Sequence, residues 1–291
     1  MNSYPFRNVI QPLQRRLDFQ NWQDYPQFAS NQSLGRVALI ATILGLLWGV
    51  HAVLSVQCIW GYVMYGSNSL MLWQWSSYML CLTTFHLLEF FVTAIYNHPS
   101  ALSADSFLVN HSAAYTAAAL TSWTEFALHP ILPWSNHFSV SCVGLILLGI
   151  GQILRSLAMK TAASSFHHMI QIQPHHTLVT TGIYKYFRHG SYAGFYYWCC
   201  GTQLLLGNYL HTIAFAIVCW SFFSKRIPYE EELLCREYPH EYPNYCAKTW
   251  IGIPFIRSFG LEKYHRKERE SSLGKGNPAA SSKANVTPKS N

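Results

Sequence analysis

The sequence predicts an all-α, polytopic membrane protein of about six transmembrane helices, with a polar cytosolic loop and a C-terminal helix. Three observations carry this prediction. Half of the 291 residues are apolar and only 11% are charged, whereas about a quarter of a soluble domain is charged. Residues 37–154 contain no lysine or arginine, and Glu89, Asp105 and Glu125 are the acidic residues among them. Apolar runs long enough to cross a bilayer recur along the chain. Residues of that kind do not build a water-facing surface.

The elements follow in order. Residues 1–35 are polar and lack the apolar centre of a signal peptide, so the first apolar run is expected to act as its own membrane signal. A spanning helix needs about 20 apolar residues. Residues 36–56 meet that length, as do 70–96, 106–132 (bounded by Pro130 and Pro133) and 137–159. An extra interfacial helix between Trp60 and Trp75 stays open. Residues 160–190 are too hydrophilic to span. The shorter runs 192–206 and 209–223, parted by Gly207-Asn208, read as a helical hairpin. Past Phe223 the chain is amphipathic and charged to about residue 250. After residue 271 a Ser/Gly/Pro/Lys-rich tail reads as disordered. The expected organisation is a polar cytosolic N-terminus over 1–35, a membrane domain over 36–257 and a basic tail over 258–291.

Orientation follows from lysine and arginine. With a cytosolic N-terminus, six spans place 1–35, 98–105, 160–191 and 224–291 in the cytosol, and every Lys and Arg falls there or at a helix end bordering these regions. The opposite connections, near 57–69, 134–136 and 207–208, hold none. From Arg257 onward there are eight Lys/Arg against three Glu. A basic tail beside a membrane faces water or anionic lipid, and no aromatic–basic module points to nucleic acid. The eight cysteines form no CxxC pair and no metal spacing. Most lie in apolar runs, where cysteine packs as a small hydrophobe. Glu89 and Glu125 lie within spans with no Lys or Arg beside them. Hydrogen bonds to neighbouring helices are expected for both, with Asn110, His86 and His111 as candidate partners.

Reactive residues collect in two cytosolic segments. The first runs from Phe166-His167-His168 through His175-His176 to Arg188-His189-Gly190-Ser191-Tyr192; the second holds Arg226-Ile227-Pro228-Tyr229-Glu230-Glu231-Glu232 and Glu241-Tyr242. Histidines at a membrane interface most simply hydrogen-bond to loops and headgroups. A metal site built from His167, His168, His175 and His176 would need further His clusters and carboxylates on helices. The two pairs here stand seven residues apart around Pro174 with no third cluster, so no metal is expected.

The same segments resemble the isoprenylcysteine carboxyl methyltransferase family. The matching positions are His176-Thr177-Leu178-Val179, Gly182-Ile183-Tyr184, Arg188-His189-x-Ser191-Tyr192, Gly194, Arg226-Ile227-x-x-Glu230-Glu231, Glu241-Tyr242-x-x-Tyr245 and Ile253-Pro254-Phe255-Ile256. Upstream, Phe85-His86-x-x-Glu89-Phe90, Ser106-Phe107-Leu108-x-Asn110-His111-Ser112, Ser122-Trp123-x-Glu125-Phe126 and Leu154-Arg155-x-x-Ala158-Met159-x-Thr161-Ala162 also look like that family. A related group of membrane methyltransferases and sterol reductases shares only the C-terminal pattern, so the upstream matches favour the eukaryotic protein-modifying branch. The chain departs from the family in having Gly190 where Pro is usual and Pro239 where Gly is common.

The resemblance implies methyl transfer from S-adenosyl-L-methionine to the C-terminal carboxylate of a prenylated cysteine in CaaX proteins, at the endoplasmic reticulum membrane. An α-carboxyl group has a pKa of about 3.3–3.7, so the nucleophile is already ionised and needs no general base. The site must instead align the carboxylate, methyl carbon and sulfonium and exclude water. Arg226 is the first candidate to hold the carboxylate and Arg188 the second, because a planar guanidinium can grip a carboxylate with two hydrogen bonds. The plainer alternative for both is a helix-end or headgroup contact. A sulfonium favours carboxylate and aromatic faces. Glu230, four residues after Arg226 and so on the same helical face, suits that end of the reaction, though an ordinary i,i+4 ion pair would look the same. The family's cofactor-binding positions fall on Gln171, His176, Thr177, Leu178, Val179, Gly182, Tyr184, His189, Gly190, Ser191, Tyr192 and Glu230. The aromatic hairpin 192–223 offers a wall for the lipid chain. Two alternatives stay open: a membrane methyltransferase acting on a phospholipid amine or a small isoprenoid acid, and a non-catalytic transporter. Farnesyl against geranylgeranyl preference and oligomeric state are not set by these residues.

Overall fold

Backbone polar groups have no water to bond in a bilayer, which leaves helices as the economical way for an apolar chain of this kind to fold. The computed structural model describes residues 30–67, 69–109, 112–131, 137–166 and 177–275. Among these residues every extended element is a helix: α1 Leu34–Tyr65, α2 Leu70–Tyr96, α3 Ala113–Leu128, α4 Phe138–Ala162, α5 Gly190–Leu206, α6 Tyr209–Glu237, α7 Glu241–Cys246 and α8 Phe259–Lys275. Short 3-10 turns lie between some of them, and Phe187 and Trp250 form an isolated parallel bridge. Three segments, Leu34–Tyr65, Leu70–Tyr96 and Phe138–Ser165, are each long and apolar enough to cross a membrane.

Two boundaries differ from the sequence expectation for physical reasons. The run 106–132 is not one span. Ser103 and Ser106 cap a 3-10 turn at Ala104–Phe107, Leu108 then takes a left-handed conformation at φ +56°, and α3 starts only at Ala113, with the Ser112 hydroxyl accepting from the Tyr115 N–H at 3.2 Å. In the other direction, α6 does not stop near Phe223 but runs on through Pro228 to Glu237. Ile227, Glu231 and Cys235, four apart, bury one stripe of that extension, and its Glu, Leu and Arg content favours helix. No separate helix fills the stretch from Trp60 to Trp75: α1 extends to Tyr65, is closed by Gly66 at φ +62°, and α2 begins at Leu70.

Contacts divide the chain into two compact units, one holding residues up to Leu145 with Thr202–His211, the other Ile146–Gly201 with the residues from Thr212 on. In the first unit α1 packs along α2. Trp48 Nε1 donates to Thr84 Oγ1 at 3.0 Å, and Ser55 Oγ to Ser76 Oγ at 3.0 Å, hydrogen bonds of the kind that join helices in lipid. Phe90 and Phe107 stack at 4.1 Å and His86 Nδ1 meets the Phe107 carbonyl at 2.8 Å. Glu89 is buried within electrostatic reach of His86; Asn110 and His111 lie outside the described residues. Glu125 on α3 accepts the backbone N–H groups of Leu210 at 3.1 Å and His211 at 3.0 Å and touches His211 Nδ1, capping the first turn of α6.

In the second unit α4 and α5 touch backbone to backbone. A Cβ on Gly151 would lie 2.5 Å from the Trp198 nitrogen, and one on Gly194 would lie 2.6 Å from the Arg155 nitrogen. Ala193, Phe223, Ile227, Ile251 and Ile253 form one apolar core. Cys235, Tyr242 and Cys246 form another, against which Leu178, Tyr245, Phe259 and Leu261 pack.

Candidate active site

The site is built in this second unit from the loop that leads into α5. Gly182 takes φ +57°, a conformation costly for other residues, and a Cβ there would meet Thr161 Cγ2 at 2.8 Å. A 3-10 turn, Gly182–Lys185, follows. The chain then pairs with the segment after α7: the Trp250 N–H donates to the Tyr186 carbonyl and the Arg188 N–H to the Trp250 carbonyl, both at 2.9 Å. The Tyr245 hydroxyl donates to the Tyr184 carbonyl. Burial, reinforced by the charge of Glu230, raises the Tyr184 phenol above its ordinary range, with Arg155 opposing.

Glu231, fully buried on α6, gathers the floor of the site. One of its oxygens accepts Arg188 Nε at 2.7 Å and lies 3.2 Å from His189 Nε2. The other accepts the Ser258 hydroxyl and the Gly260 N–H, each at 2.9 Å. Arg188 also donates to Ser258 Oγ at 2.8 Å and to the Thr249 carbonyl. Burial pushes the Glu231 carboxyl up, but the His189 hydrogen bond and the charges of His189 and Arg188 outweigh it and hold it down at about 2. A buried carboxylate satisfied by four donors is a fixed anchor.

Above this anchor lies a second group. Arg226 Nε donates to the Tyr192 hydroxyl at 2.9 Å, with the guanidinium over the Tyr192 and Phe222 rings. His189 stacks flat on Tyr192 at 5.6 Å, and its Nδ1 lies 4.0 Å from Glu230 Oε2. That Glu230 oxygen is buried with no hydrogen-bond partner among the described residues. A carboxylate oxygen in this state carries a desolvation cost that a positive ligand would relieve. The arrangement offers an arginine fork and a carboxylate one helical turn apart, bracketing an aromatic platform.

Of the residues singled out from sequence, Arg226, Glu230, His189 and Tyr192 are brought together. Ser191 and Tyr184 lie close by, through Arg155. Leu178 packs into the Cys235–Tyr242–Cys246 core, and Thr177 and Val179 flank it in irregular chain. Gln171 and His176 lie outside the described residues, as do His167, His168 and His175. Among the described residues no group of three or more His, Cys, Asp or Glu is placed to hold a metal ion. Arg188, the second candidate to hold the acceptor carboxylate, directs its guanidinium nitrogens to the Glu231 carboxylate, the Thr249 carbonyl and the Ser258 hydroxyl. Gly190 opens α5 without a positive φ, and a Cβ on it would meet nothing closer than 3.6 Å. The Gly190 N–H donates to the Phe187 carbonyl at 3.2 Å, a hydrogen bond that proline cannot make. Two buried residues were quoted from sequence without a role: Glu231, visible as the middle of three consecutive glutamates, and Arg155, visible as the first arginine after a long stretch without Lys or Arg.

Residues 143–236, which carry Arg155, Arg188, His189, Arg226, Glu230 and Glu231, match the model of the isoprenylcysteine carboxyl methyltransferase (ICMT) family. The chain is 41% identical over 234 residues to a protein-S-isoprenylcysteine O-methyltransferase of Xenopus laevis, covering 79% of this chain and 77% of that one. The chain belongs to the isoprenylcysteine carboxyl methyltransferase family. A relative of the same name from Saccharomyces cerevisiae is 37% identical over 250 residues, spanning 82% of this chain and 99% of the relative. A solved structure of a eukaryotic intramembrane Ras methyltransferase of this family superposes with a TM-score of 0.67 at 33% identity, covering 88% of each chain. The chain is thus a membrane-embedded methyltransferase. The family model ends at residue 236, so Thr249, Ser258 and Gly260, which complete the Arg188–Glu231 anchor, lie beyond it.

Proposed function

We propose that this methyltransferase moves a methyl group from S-adenosyl-L-methionine to the α-carboxylate of a C-terminal prenylated cysteine, giving a methyl ester. The observation that carries the reading is the pair Arg226 and Glu230, one turn apart on α6 and bracketing Tyr192, in a chain about 40% identical to enzymes named for that acceptor. The donor supplies an activated methyl on a sulfonium cation. The buried Glu230 oxygen without a hydrogen-bond partner among the described residues and the Tyr192 face suit that positive charge, and the loop carrying Tyr184 and His189, with Ser191 in the first turn of α5, would hold the remainder.

The acceptor end follows from Arg226. Its Nε is held by Tyr192, so the plane of the guanidinium is set and an acceptor carboxylate would meet its Nη end. One carboxylate oxygen oriented in this way leaves the other to attack. A lone contact of this kind keeps more nucleophilicity than a tight two-point ion pair. His189 is not needed as a base, since the acceptor is ionised at neutral pH. The lipid chain of the acceptor favours entry from the bilayer along the aromatic hairpin 192–223.

The remaining expectations join this reading: six crossings, the N-terminus, C-terminus and site on the cytosolic face, and residence in the endoplasmic reticulum. The lysine and arginine distribution supports the orientation.

Purified protein in detergent, given labelled S-adenosylmethionine and N-acetyl-S-farnesyl-cysteine, is expected to form base-labile methyl ester. N-acetyl-cysteine should give none. Ester formation on neither acceptor, with donor still bound, would overturn the acceptor assignment. Labelled phospholipid from an Arg226→Ala variant at full rate would favour the amine acceptor instead, because an amine has no use for the fork.

A further inference from the structure

Arg155 is the one guanidinium that α4 carries into the unit holding the site, and it is 6% exposed. Its Nη1 donates to the Ser191 hydroxyl at 2.7 Å and reaches the Ser191 carbonyl at 3.4 Å. Its guanidinium carbon lies 5.6 Å from the Phe166 ring centre and 5.8 Å from that of Phe195. The position is set by the helix crossing described above. Gly151 and Gly194 allow the α4 and α5 backbones to touch, which lays the Arg155 side chain against the first turn of α5. Two aromatic faces and a serine fix the plane of the guanidinium, which is how arginine is pre-organised for a planar anion.

Its surroundings say which anion. Ser191, which it grips, lies in the first turn of α5, at the end of the loop that would carry the methyl donor, and the Tyr184 phenol in that loop is within electrostatic reach of both Arg155 and Glu230. A buried guanidinium repels a sulfonium. A donor carrying only positive charge would therefore be disfavoured here, whereas one that also carries a carboxylate would match a site in which Arg155 and Glu230 both act on the Tyr184 phenol. S-adenosylmethionine has that charge pattern: a sulfonium in the middle and an amino-acid carboxylate on a short arm.

We infer that Arg155 recognises the amino-acid carboxylate of the methyl donor, making it a donor-specificity residue distinct from the acceptor-holding Arg226. The inference rests on S-adenosylmethionine being the donor.

The test is calorimetric binding of S-adenosylmethionine and of decarboxylated S-adenosylmethionine, which keeps the adenosine, sulfonium and amine. The wild-type chain should bind the carboxylate-bearing compound about tenfold more tightly or better, the usual scale of a charged hydrogen bond. Arg155→Gln should narrow that preference to within about threefold, with the loss falling on S-adenosylmethionine alone. Arg155→Lys, which keeps the charge but not the fork, should retain an intermediate preference, and thermal unfolding checks that both variants are folded. Equal wild-type affinity for the two compounds would overturn the inference without any variant being made, as would an Arg155→Gln chain that keeps the full preference or weakens both compounds alike. Failure of the wild-type chain to bind S-adenosylmethionine at all would instead overturn the donor reading on which the inference stands.

Discussion

Arg226 and Tyr192 hold each other in two ways: Nε donates to the phenol oxygen at 2.9 Å, and the guanidinium carbon lies 5.4 Å from the centre of the same ring. The fork is therefore held in one orientation, which under the proposed acceptor role is the kind of pre-organisation that raises a rate by proximity. Tyr192→Phe keeps the ring and deletes the hydrogen bond. Its kcat/KM for a farnesylated acceptor should fall about tenfold, the value of one hydrogen bond to a charged group, with donor affinity little changed. Initial rates at varied acceptor concentration would measure it, and an unaltered kcat/KM would mean that the bond does not orient the arginine.

The charges at 226 and 230 should act on different substrates although they sit one turn apart. Arg226→Lys retains the charge without the planar fork, and is expected to lower kcat/KM for the acceptor roughly 100-fold. Glu230→Gln should raise the KM for the donor roughly tenfold and leave the acceptor KM nearly as it was. Crossed kinetics, each variant against each substrate, distinguish this from an ordinary i,i+4 ion pair. A mere surface pair would give small and equal effects on both.

Much of this was legible because membrane folding writes itself into composition. The absence of lysine and arginine over 37–154 and the apolar runs were enough to reveal helices, and α2 has the expected limits, Leu70–Tyr96. The misses occur where local polar chemistry overrides hydropathy. Ser103 and Ser106 close a turn inside the run expected to span from 106. The extension of α6 past Phe223 rests on an i,i+4 stripe, Ile227–Glu231–Cys235, which a hydropathy window averages away. At the site, residue types pointed to Arg226 and Glu230, but types alone could not tell which arginine binds the buried Glu231. Arg188 and Arg226 look alike in sequence, and only tertiary contacts from Thr249 and Ser258, far along the chain, mark Arg188 as part of the Glu231 anchor.

The Glu231 anchor predicts acid sensitivity. Its carboxyl is held at about 2 against an ordinary 4.5, so the folded state binds the proton less readily than the unfolded chain. The stabilisation is fully present above about pH 5 and is lost as the pH falls through 4.5 towards 2. A depression of this size corresponds to about 3 kcal/mol. Thermal unfolding in detergent from pH 7 down to pH 3 should show the wild type falling steadily below pH 5. Glu231→Gln should start lower by about 3–5 kcal/mol, since Arg188 is left buried without its partner, and should lack that component of the acid slope. Parallel curves for the two proteins would show that Glu231 is not the responsible group.

Glu125 offers the same physics at a different place, with a structural and not a chemical consequence. Its carboxylate takes the N–H groups of Leu210 and His211, two of the donors that the first turn of α6 leaves without helical partners. A carboxylate at a helix N-terminus also answers the helix dipole, and in lipid those N–H groups have no water to turn to. Glu125→Ala should therefore lower thermal stability by about 1–3 kcal/mol, the cost of stranding buried donors. Glu125→Gln keeps one acceptor oxygen and should lose about half as much. Glu125 has no role in the proposed chemistry, so ester formation per folded molecule should be unchanged in both variants. A Glu125→Gln chain as stable as wild type but inactive would assign the carboxylate to the reaction instead of the helix end.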